Sequence, residues 1–103
     1  MWEGKRILPA WWVGEATREQ VSNGSPGTPA DQVATLRATS QWAQGYGYQL
    51  WRSLDGCYRA DGAYGQYIVV APRQDAVVVV TEYTDQGGTQ LDLIWKYLLP
   101  ALD

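Results

Sequence analysis

The sequence predicts a small α+β domain, in which an antiparallel sheet of about four strands packs against an N-terminal and a C-terminal helix. Three observations carry this prediction. Two runs of β-branched residues, 66–71 and 76–81, flank a turn that contains proline. Aromatic residues alternate with small or polar ones in 45–52, as they do in a strand with one covered face. Near the C-terminus, apolar residues recur at helical spacing within 89–102.

The hairpin at 66–81 is the part of the sequence with the strongest strand signal. Residues 68–70 and 77–80 are unbroken runs of valine and isoleucine, which are typical of strands buried on both faces. The turn at 72–75 begins with proline and ends with aspartate, both common turn residues. We therefore expect these strands to need cover on both sides, more than a chain of 103 residues supplies easily.

The remaining segments are assigned in chain order, within a single unit that spans 1–103. Residues 1–21 are predicted to be helical from Pro9 onward, since proline suits the first turn of a helix. Residues 22–44 are predicted to be a loop, either a functional surface loop or one that lies against another part of the protein. The sheet is expected in 45–83, and Thr89 is expected to cap the last helix.

Composition excludes several classes of function. The net charge is −3 and basic residues are scattered, so we predict no nucleic-acid partner. With no histidine and one cysteine, Cys57, the chain lacks the residues for imidazole catalysis or for a cysteine–histidine metal site. We predict no metal and no cofactor, and interpret Cys57 as a small buried apolar residue. Arg59 and Glu82 are interpreted as a surface pair across two strands.

The chain contains no apolar run of membrane-spanning length and no basic segment followed by an apolar one at its N-terminus. A cytoplasmic location is therefore the default expectation. Six tryptophans and seven tyrosines are present, with no phenylalanine. Such a composition favours either a surface that faces a ligand or a subunit, or ordinary use of these residues in the core.

Five motifs then occur in a recognisable order. They are GKRILP from Gly4, GYGYQLW from Gly45, DGAYGQYIVVAP from Asp61, DAVVVV from Asp75, and a final helix with leucine and tryptophan. In this order and spacing they resemble the final third of the β-lactamase-related serine hydrolases. That family includes class C β-lactamases, other penicillin-binding-protein-like peptidases and related esterases. The resemblance implies a partial β-lactamase/transpeptidase-like fold, and that 1–103 is a C-terminal fragment of such a domain.

The resemblance also implies a candidate site. Ala60, Asp61 and Gly62 stand where the family has its Lys/His-Thr-Gly triplet, on the strand that binds substrate, with Ala60 in place of Lys or His and Asp61 in place of Thr. The backbone N–H of Ala63 would then donate to the oxyanion, while Tyr64 and Ala60 would contact substrate. Because Ala60 replaces the family's cation, the resemblance implies hydrolysis more than β-lactam specificity. The alternative interpretation of this stretch is an ordinary Asp-Gly turn between strands.

The family's nucleophile is not found in this sequence. No serine is followed three residues later by lysine, and no tyrosine or serine is followed two residues later by asparagine. We therefore expect the chain to be inactive alone, with an ester or amide substrate only in an intact enzyme. Its expected partners are the missing N-terminal half or a second copy of itself. The alternative is a self-standing α+β binding module that uses an aromatic-rich sheet.

Overall fold

A computed structural model describes residues 3–22, 29–86 and 88–103 and confirms the α+β class. The elements, in chain order, are α1 (Ala10–Thr17), α2 (Ala30–Thr39), β1 (Trp51–Arg52), β2 (Tyr58–Gly62), β3 (Gln66–Ala71), β4 (Ala76–Val80) and a C-terminal helix. That helix has three consecutive parts: an α-helical start (Thr89–Leu93), a π-helical turn (Ile94–Leu98) and an α-helical end (Leu99–Leu102).

The four strands form one antiparallel sheet in the order β1-β2-β3-β4, so each strand pairs with its neighbour in sequence. The predicted hairpin is confirmed: β3 pairs with β4 from Tyr67↔Val80 to Ala71↔Ala76. Its connection is a 3₁₀ turn, Pro72–Gln74, which ends at Asp75 in the left-handed conformation. Proline presets φ for this turn, and aspartate tolerates positive φ better than a β-branched residue does.

The prediction that 66–81 is buried on both faces is wrong. Burial alternates along β3: Tyr67, Val69 and Ala71 are buried, whereas Ile68 between them is 47% exposed. In β4, Val77 and Val79 are both 61% exposed. The alternation arises because the described residues cover the sheet on one side only, and successive side chains of a strand point to opposite faces.

The side chains of the sheet point to two faces, a covered face and an open face. The covered face carries Arg59, Asp61, Tyr67, Val69, Ala71, Val78 and Val80. The open face carries Tyr58, Ala60, Ile68, Val70, Val77 and Val79. The C-terminal helix supplies the cover, since Leu91, Ile94 and Leu99 form one cluster with the buried residues of β3 and with Cys57. This cluster is the core of the described part of the chain.

The C-terminal helix follows the predicted apolar stripe, with two differences. Thr89 is the first helical residue and not the cap; the cap position is Gly88, whose φ of 114° suits glycine. The helix also widens into a π-helical turn before Pro100. A proline ring clashes with the carbonyl four residues earlier in an α-helix, and one wider turn relieves that clash.

The N-terminal half departs furthest from the prediction. Helix α1 ends at Thr17, and Val21 instead pairs with Tyr46 in an isolated β-bridge. The predicted strand at 45–52 is reduced to β1, because Gly47 N donates to Leu50 O and closes a tight turn. A Cβ at Gly47 would lie 2.3 Å from the Ala16 carbonyl oxygen, so only glycine permits this approach to α1.

The segment 22–44, predicted as a loop, contains helix α2. Pro29 occupies the position before it, and Asp31 lies in its first turn, where an acidic residue is favoured. Two threonines, which are not strong helix formers, fit within this helix because the hydroxyls of Thr35 and Thr39 donate to the carbonyls of Asp31 and Thr35 at 3.0 and 2.8 Å. Residues 23–28, at the start of this segment, lie outside the described residues.

Candidate functional site

The triplet at 60–62 forms the last three residues of β2. Ala60, Asp61 and Gly62 pair with Ile68, Tyr67 and Gln66 of β3. Opposed residues of antiparallel strands point to the same face, so Ala60 and Gly62 share the open face with Ile68, whereas Asp61 shares the covered face with Tyr67. The triplet is therefore divided between the two sides of the sheet.

A groove of about 350 Å³ lies across β2, β3 and β4 beside this triplet. It is lined by Ala60, Asp61, Gly62, Gln66, Tyr67, Ile68, Val79, Val80 and Thr81. The side chains that the open face contributes are small or aliphatic over most of its length, with Gln66 and Thr81 at one end. The groove thus combines an apolar floor with a few polar groups, as small-molecule sites commonly do.

The Asp61 carboxylate is held on the opposite side of β2. Arg59 Nε donates to Asp61 Oδ2 at 3.3 Å, and the side chain of Asp61 is 18% exposed. The predicted surface pairing of Arg59 with Glu82 is therefore wrong. Two residues apart on one strand, Arg59 and Asp61 lie on the same face and meet directly, whereas the sequence suggested a partner on another strand.

Arg59 is fully buried and anchors this end of the sheet. Its Nη1 donates to the carbonyls of Gln41 and Arg52, both at 3.1 Å, and to Ser53 Oγ at 2.8 Å. Its guanidinium carbon lies 4.7 Å from the ring centre of Trp42. Burial lowers the pKa of Arg59 from its usual value, and the hydrogen bond to Asp61 opposes that shift.

Sequence reasoning missed this network, although one signal was present. Arginine is rarely buried without partners, and here Arg59 comes two residues after Cys57, a residue type that is usually buried, and two residues before Asp61, a possible ion-pair partner on the same face of a strand. The atom Arg59 Nη2 is buried without a hydrogen-bond partner among the described residues. The partners of Nη1 come from two separate segments, at Gln41 and at Arg52 with Ser53, and a sequence pattern cannot bring these together.

The loop after the triplet, 63–65, closes the β2–β3 hairpin with an unusual backbone. Tyr64 and Gly65 both have positive φ, at 66° and 86°. A Cβ at Gly65 would lie 2.8 Å from Thr84 Cγ2, and Thr84 N donates to the Tyr64 carbonyl at 2.9 Å. The loop is thus fastened to the segment after β4, which gives the Tyr64 backbone a fixed position at positive φ.

Ala63 and Tyr64, the predicted oxyanion donor and substrate contact, are both exposed in this loop. Within the described part of the chain, the Ala63 N–H donates no hydrogen bond to a loop or turn carbonyl. The ring of Tyr64 stacks on Tyr83 with centroids 4.7 Å apart, and these rings are 55% and 83% exposed. An available N–H and an aromatic pair therefore lie close in sequence to the groove residue Gly62.

The single cysteine is unsuited to nucleophilic chemistry. Cys57 belongs to the core cluster and is 2% exposed. Burial, assisted by the charge of Asp55, raises the pKa of its thiol to about 11. A thiolate is the reactive form, so at neutral pH this cysteine is inert.

A second group of exposed aromatic residues lies at the β1 edge. Trp12 of α1 contacts Tyr48 with ring centroids 5.7 Å apart, and the Tyr48 hydroxyl donates to Glu15 Oε1 at 3.0 Å. Arg18 donates to both carboxylate oxygens of Glu15, at 2.8 and 2.9 Å. These interactions lower the pKa of Glu15 to about 2, with the Arg18 hydrogen bond as the largest cause.

Comparisons with protein-family models, with curated proteins and with solved structures find no match to this chain. Within the described residues, no group of three or more cysteine or acidic side chains is placed to hold a metal ion. None of the described helices is long and apolar enough to cross a membrane.

Proposed function

We propose that this chain is the C-terminal, substrate-binding part of a β-lactamase-related serine hydrolase of the esterase or amidase type. The observation that carries the proposal is the position of the motif residues. Ala60 and Gly62, which stand at the first and third positions of the family's triplet, border the groove on the face that the described residues leave open. An incomplete site beside an uncovered apolar face is expected where a second layer carries the rest of the chemistry.

In this proposal each residue of the chain has a limited role. Gly62 lets substrate approach the strand, since it has no side chain to obstruct the groove. The Ala63 N–H donates to the oxygen that gains negative charge when an ester or amide carbonyl is attacked. One such donor contributes about 10²–10³ in rate. The serine nucleophile and its lysine base come from the part of the protein that precedes these motifs.

The test compares the chain alone with a longer protein. The DNA immediately upstream of the Met1 codon is sequenced and translated in all three frames. We expect a Ser-x-x-Lys motif and a following Tyr-x-Asn or Ser-x-Asn motif. The chain alone and the chain extended through those motifs are then mixed with p-nitrophenyl acetate, and the release of p-nitrophenol is followed over time.

The extended protein should show a burst of nitrophenol, and the chain alone should show none. Replacing the upstream serine of the extended protein by alanine is the matched control and should abolish the burst. An upstream sequence without Ser-x-x-Lys would contradict the proposal. A burst from the chain alone would contradict the absence of a nucleophile in it.

A second candidate function rests on the aromatic residues at the β1 edge. Trp11 is 71% exposed, Trp12 40% and Tyr48 44%, which is unusual for large aromatic side chains. Such a surface favours a self-standing binding module that uses these rings to contact a partner. An unrelated gene or a promoter directly upstream of Met1, in place of the two motifs, would support this candidate.

A further inference from the structure

We infer that the groove binds the uncharged, apolar part of an ester or amide and discriminates against ligands that carry a carboxylate. This inference rests on the proposed function, and it specifies the substrate class of the same site. It follows from where the cationic side chains of the chain lie, from the residues that line the groove, and from the volume available.

No cationic side chain lines the groove. The chain has eight lysines and arginines, and all of them lie within the described residues. The one nearest in sequence, Arg59, is buried on the covered face and donates to Asp61. The other seven lie outside the lining of the groove. Three form ion pairs: Arg18 with Glu15, Arg37 with Glu19 and Arg73 with Asp103. Of the remaining four, Arg52 donates to Thr17 O, Lys96 lies over the ring of Tyr97, and Lys5 and Arg6 precede α1.

The residue that β2 places on the open face at the middle of the triplet's end of the groove is an alanine, Ala60. Ala60 lies on the open face, between Arg59 and Asp61, which both point to the covered face. A carboxylate bound here would lose part of its hydration without gaining an ion pair, which is unfavourable.

The floor of the groove suits an aliphatic or aromatic group. Ile68 and Val79 oppose each other across β3 and β4, and are 47% and 61% exposed. A ligand that covers these side chains removes apolar surface from water, which is favourable by area. The volume of about 350 Å³ lies at the lower end of the roughly 300–1,000 Å³ typical of small-molecule sites. A single ring with a short side chain is a matched size.

The test measures binding, so it needs no catalytic activity. The ¹⁵N-labelled chain is titrated with methyl phenylacetate and, separately, with phenylacetate, which differ in charge at the carboxyl end. The shifts of the backbone amides of Gly62, Ile68 and Val79 report binding in the groove. We expect the ester to shift these amides and to bind at least about fivefold more tightly than the acid.

The decisive variant is Ala60→Lys, which places a cation at the position that lacks one. It should raise the affinity for phenylacetate relative to that for the ester by about two- to fivefold, the range expected for an exposed ion pair, because the longer side chain narrows the groove for both ligands but adds a charge interaction only with the acid. Gln32→Lys is the matched control, because it adds the same charge on the exposed surface of α2, outside the groove. Phenylacetate affinity at the groove amides should not change in that variant.

Three results would overturn the inference: equal or tighter binding of the acid by the wild-type chain, no response of the groove amides to either ligand, or the same gain in Ala60→Lys and Gln32→Lys. These results are distinct from a failure of the proposed function. If the upstream motifs are missing but the ester binds selectively, the groove keeps its ligand class and loses only its catalytic assignment. If the motifs are present but the acid binds better, the hydrolase assignment stands and the substrate class is wrong.

Discussion

Both faces of the sheet carry valines, yet these valines have different environments. Val69 on the covered face is fully buried, whereas Val77 and Val79 on the open face are 61% exposed. The C-terminal helix accounts for the difference, because Leu91, Ile94 and Leu99 pack on one side only. The open face has no equivalent layer among the described residues.

An unbroken run of valines therefore does not by itself indicate a strand that is buried on both faces. Such a run indicates only that both faces of the strand tolerate apolar side chains. An exposed apolar sheet face with an unpaired edge strand, here β4, favours association with another surface. Whether that surface is a preceding part of the same protein or a second copy stays a prediction.

The polar groups of the two faces also differ in burial and in position. On the covered face Arg59 is fully buried, yet it makes four hydrogen bonds. On the open face the polar groups lie at the end of the groove, at Gln66 and Thr81. The covered face is therefore expected to determine stability, and the open face to determine what the protein contacts.

The largest effect is expected for Arg59→Met. The substitution leaves the Asp61 carboxylate and the acceptors on Gln41 and Ser53 without their donor, and breaking a buried ion pair in this way costs about 3–5 kcal/mol. The free energy of unfolding is measured by urea denaturation at matched protein concentration. Arg73→Met is the control, because its pair with Asp103 is exposed and contributes less than about 1 kcal/mol.

If the single variant does not fold, Arg59→Met combined with Asp61→Asn provides the second measurement. Removing both charges should recover part of the lost free energy of unfolding, because the double variant has no unpaired carboxylate at this position. Equal losses for Arg59→Met and Arg73→Met would show that the covered face does not depend on its buried cation.

A smaller and more direct comparison of the faces uses one chemical change on each. Val69→Ala removes buried methyl groups and leaves a cavity, at a cost of about 2 kcal/mol. Val79→Ala, on the exposed side of the neighbouring strand, should cost less than about 1 kcal/mol. Urea denaturation measures both, and the difference between the two losses is the quantity of interest.

The same pair of variants tests whether the open face is free in solution. If Val79→Ala is as destabilising as Val69→Ala at high protein concentration but not after dilution, the open face is covered by a second copy. If both variants lose the same free energy of unfolding at every protein concentration, the prediction that the two faces contribute differently to stability is wrong.

Much of the sheet follows from local pattern, and this explains what was predictable. The β3–β4 hairpin has β-branched strands and turn residues at fixed offsets, so its bounds agree with the prediction within one residue. The C-terminal helix likewise follows from its apolar spacing. In both cases the residues that determine the element lie within that element.

The errors occur where distant residues decide the structure. The turn at Gly47 exists because α1 approaches it, and Ala16 is about thirty positions earlier in the chain. Helix α2 has little apolar pattern, and its only sequence signals are Pro29, Asp31 and threonines that can bond within the helix. The environment of Arg59 likewise depends on segments that meet only in the fold.

The candidate site was predictable only in part. The resemblance selected Ala60, Asp61 and Gly62, but the alternation of β2 determines that the Asp61 carboxylate lies on the covered face while Ala60 and Gly62 face the groove. The partner of Asp61 and the Tyr64–Tyr83 stack depend on three-dimensional contacts. The roles of Ala63 and Tyr64 in substrate binding stay predictions.

The smallest effect is expected away from both faces, at the Glu15–Arg18–Tyr48 cluster beside β1. The Arg18 and Tyr48 hydrogen bonds lower the pKa of Glu15 from 4.5 to about 2 in the folded protein. Folding is therefore favoured by the charged carboxylate above about pH 4.5, and this contribution is lost as the pH falls from 4.5 through 2. The midpoint of thermal unfolding of the wild-type chain should fall over that range more steeply than that of Glu15→Gln. Tyr48→Phe, which removes one hydrogen bond and keeps the ring, should lie between them; identical slopes for all three proteins would show that the cluster contributes nothing to acid sensitivity.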